Sequence, residues 1–361
     1  MAAADADALG IALVGAGGMA KNYRDSYVGI PGTQYRLVVD IDPETARTVA
    51  ETLGVPRWST DWRDALAGDI QIADISTPNH LHAEQAVALL GAGAHVLLQK
   101  PMAPTVAECR AIVEAARAAG RLAGVYMSDL EDPVVWDMKE MVQGGYLGRV
   151  TGVRARYAHR GGLRAAANEA NWRGSAEKVG GGAFMQLSLH HTNLLSWALE
   201  DRITSVTGFA RNLMCPNIGG EDTAACACEF ERTGALGLFD AAWNADMTCV
   251  EVYGSEGRFA FWEGQGGPAE ASLNRPFAGR VIRVEEPGKT VRSTRSGGTR
   301  DHCHRDNPLN QHVAFVQAVL EGRSEAPVTA ETGLYDVALV KALYASAETG
   351  RRVNVEEMLA G

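Results

Sequence analysis

The chain has 361 residues, enough for about two domains, with 46% hydrophobic and 22% charged residues. Its formal net charge of −10 argues against general nucleic-acid binding and against docking on an anionic membrane. No apolar run approaches the roughly 20 residues of a membrane span, and the acidic start at Met1–Asp7 lacks the basic and apolar regions of a secretory signal.

In chain order, Ile11–Val14 reads as a strand that breaks into Gly15-Ala16-Gly17-Gly18-Met19-Ala20, the G-x-G-x-x-A form of a dinucleotide fingerprint. The first glycine makes the tight turn. The second lets backbone N–H groups approach a pyrophosphate at the positive end of a helix, and Ala20 lets that helix pack closely on the strand. The second strand, Tyr35–Asp40, ends on a carboxylate about twenty residues further on. Asp40 is placed to accept hydrogen bonds from both adenosine ribose hydroxyls and to repel a 2′-phosphate. Ile41 rather than an arginine follows it, so NAD is expected over NADP. Asp42 reads as the N-cap of a helix over Pro43–Leu53, with proline at its first position.

Ile72–Ile75 is the next strand, followed by Ser76-Thr77-Pro78-Asn79-His80-Leu81-His82 and a helix over Leu81–Leu90. Such a loop lies at the carboxyl edge of a parallel sheet, where ligands bind; a plain capping turn with Thr77 or Asn79 as cap is the alternative. Ala94–Leu98 runs into Gln99-Lys100-Pro101. A lysine beside a cofactor can polarise a substrate hydroxyl or take part in proton transfer, whereas a lone loop lysine is otherwise a solvated charge. Thr105–Ala119 and Leu122–Tyr126 complete the alternation of strands and helices that marks a parallel sheet. Gly91 and Gly120 stand where helix C-caps belong.

From about residue 148 the pattern changes. Arg149–Tyr157, Ile203–Asn212, Thr223–Glu231, Ala235–Trp243, Thr248–Tyr253 and Arg258–Trp262 are closely spaced strands, interrupted by a helix over Ala183–Leu199. They predict an α+β domain with a mostly antiparallel sheet. Gly264–Asp306 reads as containing a long loop, and Asn310–Glu321 and Thr332–Thr349 as helices. Gln186, His190 and Asn193 are spaced i, i+4 and i+7 and share one helix face. A polar stripe on an apolar helix is expensive to bury without a purpose, and histidine is the side chain suited to proton transfer near neutral pH. A satisfied core histidine is the alternative; His191 lies off that face and reads as structural, though the doublet leaves the choice open. Six cysteines without a C-x-x-C pair argue against a disulfide framework or zinc site and for a reduced cytoplasmic setting. Asp301-His302-Cys303-His304 has no matching ligand cluster, so no metal is expected.

Taken together, these motifs resemble the Gfo/Idh/MocA oxidoreductase family over nearly the whole chain. The fingerprint, Ser76-Thr77-Pro78-Asn79 with His82, and His95-Val96-Leu97-Leu98-Gln99-Lys100-Pro101 are similar to its G-x-G, T-P-N-x-x-H and H-V-x-x-E-K-P elements. Gly145-Tyr146-Leu147-Gly148, Trp172-Arg173 with Gly180-Gly181-Gly182, and Tyr253-Gly254-Ser255-Glu256-Gly257 follow in the family's order. The resemblance implies an N-terminal Rossmann domain over residues 1–127 and a C-terminal substrate and oligomerisation domain over 128–361, whose open sheet makes a homodimer or homotetramer. It implies NAD(P)-dependent hydride transfer on sugars, cyclitols or related polyols. Gly15, Gly17, Gly18, Met19, Asp40, Ile41, Ser76, Thr77, Pro78, Asn79, His82, Gln99 and Lys100 would line the cofactor. Lys100 and His190 would handle the hydroxyl proton, and Trp172, Arg173, Gln186, His190 and Asn193 would meet the substrate.

Three family carboxylates are amides here: Gln99, Gln186 and Asn193. An amide can orient an imidazole but cannot relay its proton. The arginine-containing run after the last Rossmann strand is replaced by Met127-Ser128-Asp129-Leu130. The expected activity is an NAD-dependent oxidoreductase acting on a secondary hydroxyl, or its ketone, of a sugar, glycoside or cyclitol. A redox-neutral glycoside-cleaving enzyme with transient C3 oxidation, and a non-catalytic NAD-binding sensor, are the rival readings.

Overall fold

The computed structural model describes residues 8–168, 171–263, 270–273, 290–292 and 310–361. The chain divides into two units, Met1–Glu131 with His302–Leu334, and Asp132–Asp301 with Tyr335–Gly361. The first unit therefore takes in a late segment that sequence order alone assigns to residues 128–361.

The sheet of the first unit has six parallel strands: β1 (Leu9–Val14), β2 (Thr33–Val39), β3 (Trp58–Ser59), β4 (Ile72–Ile75), β5 (His95–Gln99) and β6 (Ala123–Tyr126). Their order is β3-β2-β1-β4-β5-β6, so the winding reverses between β1 and β4 and opens a crevice at the carboxyl ends of those strands. Ile11–Val14 and Ile72–Ile75 are buried throughout, as a parallel sheet covered on both faces demands. Helices α1 (Pro43–Leu53), α2 (His82–Gly91) and α3 (Val106–Ala119) are the crossovers. The Asp42 carboxylate accepts from the Thr45 N–H at the start of α1, and Thr105 accepts from the Glu108 N–H at the start of α3.

Gly120 caps α3 in the left-handed region at φ 58°, as the sequence predicts. Gly91 does not cap α2. It is the last helical residue, and Gly93, at φ 94°, makes the reversal. A second difference follows the fingerprint, where two short 3-10 turns, Gly18–Asn22 and Arg24–Tyr27, stand in place of a long helix. Their i→i+3 bonds run from Tyr23 N–H to Ala20, Ser26 N–H to Tyr23 and Val28 N–H to Asp25. The tighter winding accompanies the anchoring of Tyr23 and Tyr27 to the buried side chain of Asp74.

The second unit is built on a nine-stranded sheet: β7 (Val150–Ala158), β8 (Ile203–Arg211), β9 (Thr223–Phe230), β10 (Leu236–Ala242), β11 (Thr248–Gly254), β12 (Gly257–Glu263), β13 (Glu270–Leu273), β14 (Thr290–Arg292) and β15 (Val353–Asn354). The order is β14-β13-β12-β11-β7-β10-β9-β8-β15, antiparallel everywhere except between β7 and β10. Strands β13 and β14 occupy part of the stretch read as a loop. One sheet face is buried. The other aligns Thr207, Ala227, Leu238, Arg154 and Glu251 in one row, beside Phe209, Ala225, Asp240 and Arg156 in the next. Leu236, Leu238 and Phe209 are exposed on it, at 64%, 48% and 68%.

The Gly145–Gly148 and Tyr253–Gly257 motifs form one joint. Glu256 N–H donates to the Leu147 carbonyl at 2.9 Å, and Arg149 N–H to the Ser255 hydroxyl at 3.0 Å. The predicted helix over Ala183–Leu199 begins as a π turn, Phe184–Ser188, and becomes α only over Leu189–Leu199. Cys109, Cys215, Cys226, Cys228 and Cys249 are free thiols; Cys303 and the whole Asp301–His304 run lie outside the described residues. Among the described residues, no helix is long and apolar enough to cross a membrane, and no cluster of His, Cys, Asp or Glu is placed to hold a metal.

Candidate functional site

In the first unit, three sequence motifs converge at the carboxyl ends of β1, β4 and β5. Gly15 sits at φ 92°, and a Cβ there would come within 2.8 Å of the Ser76 carbonyl carbon and the Thr77 nitrogen. Only glycine lets the fingerprint turn lie against the loop after β4. That loop is tied in turn to the segment after β5. The Asn79 amide donates to the Pro101 carbonyl at 3.1 Å, and the His82 ring bridges the Thr77 and Met102 carbonyls at 2.9 and 3.2 Å. Thr77 donates to Gln85 at 2.6 Å. The Lys100–Pro101 bond is cis, and the Lys100 N–H is held by the Gln99 side-chain oxygen at 3.0 Å.

Asn79 and His82 are buried, and through these backbone carbonyls they hold loop to loop. Burial also holds the His82 imidazole below its ordinary range of protonation. Ser76, Thr77, Pro78 and Lys100 remain partly exposed.

The edge fits a dinucleotide. The Asp40 carboxylate gathers the Ala16 and Gly17 N–H groups on Oδ2 at 2.9 and 3.0 Å, and the Asp42 N–H on Oδ1 at 3.0 Å. It thereby fixes the glycine turn at the end of β2, and a carboxylate there would suit a ribose diol better than a 2′-phosphate. Ile41 beside it is 90% exposed, an apolar surface next to the carboxylate. The Gly15, Ala16 and Gly17 N–H groups are thus taken by the Val39 carbonyl and by Asp40, and the short 3-10 turn that starts at Gly18, rather than a long helix, faces the edge next. The Gln99 side-chain nitrogen is buried and makes no hydrogen bond among the described residues.

In the second unit, the polar stripe is held from below by residues that the sequence did not single out. The buried Glu221 carboxylate accepts from the Gly182 N–H at 2.9 Å, the Phe184 N–H at 2.8 Å and the Tyr344 hydroxyl at 2.9 Å. Desolvation raises its protonation range, and these bonds oppose the rise. A side chain at Gly181 would strike the Tyr344 ring, and one at Gly182 would strike Glu221. The triple glycine is therefore the bed on which the start of the helix lies.

Gln186 donates from Nε2 to the Arg173 carbonyl at 3.0 Å, tying the helix to the Trp172–Gly174 turn. Asn193 is buried as well, and its amide donates to Asp336 at 2.8 Å. Burial pushes the Asp336 carboxyl up to about 8. His191 is sealed from solvent, stacked on Tyr157 at 4.8 Å, and burial pushes it down to about 3. His190 sits beside the same tyrosine, 5.6 Å between ring centres, and retains slight exposure. The Arg173 guanidinium lies 4.5 Å from the centre of the Trp172 ring, and burial lowers its protonation range. Trp172 also lines a cavity of about 440 Å³ with Asn168, Asn171, Ser175, Lys178 and Asn217.

The groups missed in the sequence are Tyr157, Glu221, Asp336 and Tyr344 here, and Tyr23, Asp74 and His312 in the first unit. Asp74 alone left a signal, as one carboxylate inside the buried apolar run Ile72–Ile75.

Residues 9–127 match the family model for oxidoreductases with an NAD-binding Rossmann fold, and residues 135–260 match the Gfo/Idh/MocA C-terminal domain. The chain is 24% identical over 350 residues to the 1,5-anhydro-D-fructose reductase of Ensifer adhaerens, covering 95% of this chain and 98% of that protein. It is 27% identical over 291 residues to the levoglucosan dehydrogenase of Pseudarthrobacter phenanthrenivorans, covering 70% and 73%. A solved structure of levoglucosan dehydrogenase with NADH and levoglucosan is similar at a TM-score of 0.83 and 22% identity, over 96% of this chain and 99% of that one. With one family matching both halves of the chain and an edge that fits the dinucleotide, the protein belongs to the Gfo/Idh/MocA family of NAD-dependent oxidoreductases.

Proposed function

We propose that the protein oxidises a secondary hydroxyl, or reduces the matching ketone, of a sugar, glycoside or cyclitol. One observation carries this reading. The segment bearing Lys100 is bonded through Asn79 and His82 to the loop that Gly15 leans on, so a lysine belongs to the same edge as the fingerprint. The names of the similar proteins, a levoglucosan dehydrogenase and an anhydrofructose reductase, support a sugar-like substrate.

Bound NAD supplies the hydride acceptor or donor. The Lys100 ammonium, a compact charge, favours the alkoxide form of a substrate hydroxyl. The His190 imidazole, packed beside Tyr157, accepts the hydroxyl proton in oxidation and returns it in reduction. Trp172 and Arg173 are the proposed substrate contacts. An aromatic ring with asparagine and lysine side chains around it suits a neutral polyhydroxylated molecule. We place the protein in a reducing compartment on its free thiols, and its assembly as a homodimer or homotetramer on the second sheet's outer face, where Leu236, Leu238 and Phe209 are exposed among charged residues.

The test is a screen of sugars, cyclitols and glycosides that follows nicotinamide absorbance with NAD and with NADP. With the best substrate, Lys100→Met and His190→Ala should each lower kcat by about 100-fold or more, well beyond any change in NADH affinity. Full turnover in both variants would sink the roles. Glycoside cleavage without added NAD would replace the reading with the redox-neutral reaction. Tight NADH binding with no hydride exchange to any polyol would replace it with the sensor.

A further inference from the structure

Asp74 is a carboxylate in the middle of a parallel sheet, on a strand otherwise wholly apolar. Such a group is tolerated only with partners. The Tyr27 hydroxyl donates to its Oδ2 at 2.9 Å, the Tyr23 hydroxyl to its Oδ1 at 3.4 Å, and His312 Nε2 lies 3.5 Å from Oδ2. The His312 ring is stacked on Tyr23 at 4.3 Å, with Tyr126 at 4.4 Å and Tyr27 edge-on at 5.2 Å. All these groups are buried in the first unit.

Tyr23 reaches outward as well. Its hydroxyl is hydrogen-bonded to the Ser76 hydroxyl, at the first residue of the loop on which Gly15 rests. A phenol has one proton to give and two lone pairs to offer. With its proton on Asp74, Tyr23 accepts from Ser76. One oxygen thus links a buried carboxylate to Ser76, on the edge where β1, β4 and β5 end.

We propose that Tyr23 is a positioning residue of the cofactor site: anchored by Asp74, its hydroxyl fixes Ser76 at the head of the loop after β4, and so sets the shape of the edge on which NAD lies. The proposal rests on assigning the Ser76–Asn79 loop to the cofactor.

Fluorescence titration of the full chain with NADH tests both steps without knowledge of the substrate. Tyr23→Phe removes one oxygen and keeps the ring stacks, and Ser76→Ala cuts the same bond from the outer side. Each is expected to weaken NADH binding about fivefold, the effect of one hydrogen bond. The double variant should bind no more weakly than the weaker single variant, because both remove one link. Unchanged affinity in Ser76→Ala overturns the loop assignment. A loss in Ser76→Ala with none in Tyr23→Phe overturns the positioning role. So do two losses that multiply in the double variant, or a Tyr23→Phe change confined to Tm.

Discussion

Gln186 donates from Nε2 to the Arg173 carbonyl at 3.0 Å, a bond that the aspartate of the family pattern has no proton to make at neutral pH. Asn193 likewise donates to Asp336, where an aspartate would set two buried carboxyls against each other. Two of the three side chains read from sequence as lost acids are thus donors with defined acceptors. Those acceptors lie 13 and 143 residues away in the chain, which is why the substitutions were visible in the sequence and their purpose was not. Gln186→Glu should expose the difference. It would leave the Arg173 carbonyl unpaired and press a carboxylate against it, a change of about 1–3 kcal/mol. The substrate KM is expected to rise about tenfold or more, with NADH affinity held within about twofold. Steady-state kinetics with the best substrate of the screen checks this, and an unchanged KM would show that the Trp172–Gly174 turn does not depend on the amide.

At the scale of elements, what was legible was what local chemistry decides. Helix α1 runs over Pro43–Leu53 as expected, because Asp42, Pro43 and Gly54 mark its ends in the sequence itself. The misread elements are those set by distant partners. The 3-10 turns after the fingerprint follow from tyrosines bound to Asp74, some 50 residues on, and the π turn lies where Gln186 and Ser188 reach two different neighbours, Arg173 and Asp240. The second sheet was legible as alternating strands, and its outer face carries a prediction. Leu238 stands exposed in a row with Ala227 and Arg154, beside Phe209 and Ala225. Small and apolar residues in register make a flat surface suited to a second copy. Leu238→Glu should shift the protein toward the 38.5 kDa single chain in light scattering, with the thermal transition of the unit preserved. A mass unaffected by the substitution would remove this face from the proposed assembly.

Across the whole molecule, each unit buries acids and histidines that must be satisfied at one pH. In the first unit, Asp74 and His312 are 3.5 Å apart; burial raises the carboxyl to about 7 and lowers the imidazole to about 3, so the folded pair holds one proton between those values. Unfolded, with ordinary values of 3.8 and 6.5, the two also hold one proton between those values and lose it above 6.5. The pair therefore adds no slope between pH 3.8 and 6.5 and loses a little stability between 6.5 and about 7. In the second unit, Asp336 is raised to about 8, so its contribution is full below 3.8 and is lost as the pH rises toward 8. His191 and His95, lowered to about 3 and about 4, and His82 act the other way, losing stability as the pH falls below 6.5. Three histidines outweigh the acids on the low side, and only the acids act on the high side. Resistance to urea should peak near pH 6.5 and decline toward pH 8. Asp336→Asn keeps an acceptor for the Asn193 amide and removes the ionisation, so its urea midpoint should fall less over that interval than the parent's. A midpoint that climbs from pH 6.5 to 8, or an equal fall in Asp336→Asn, would mean that the buried carboxyl is already ionised in the folded chain.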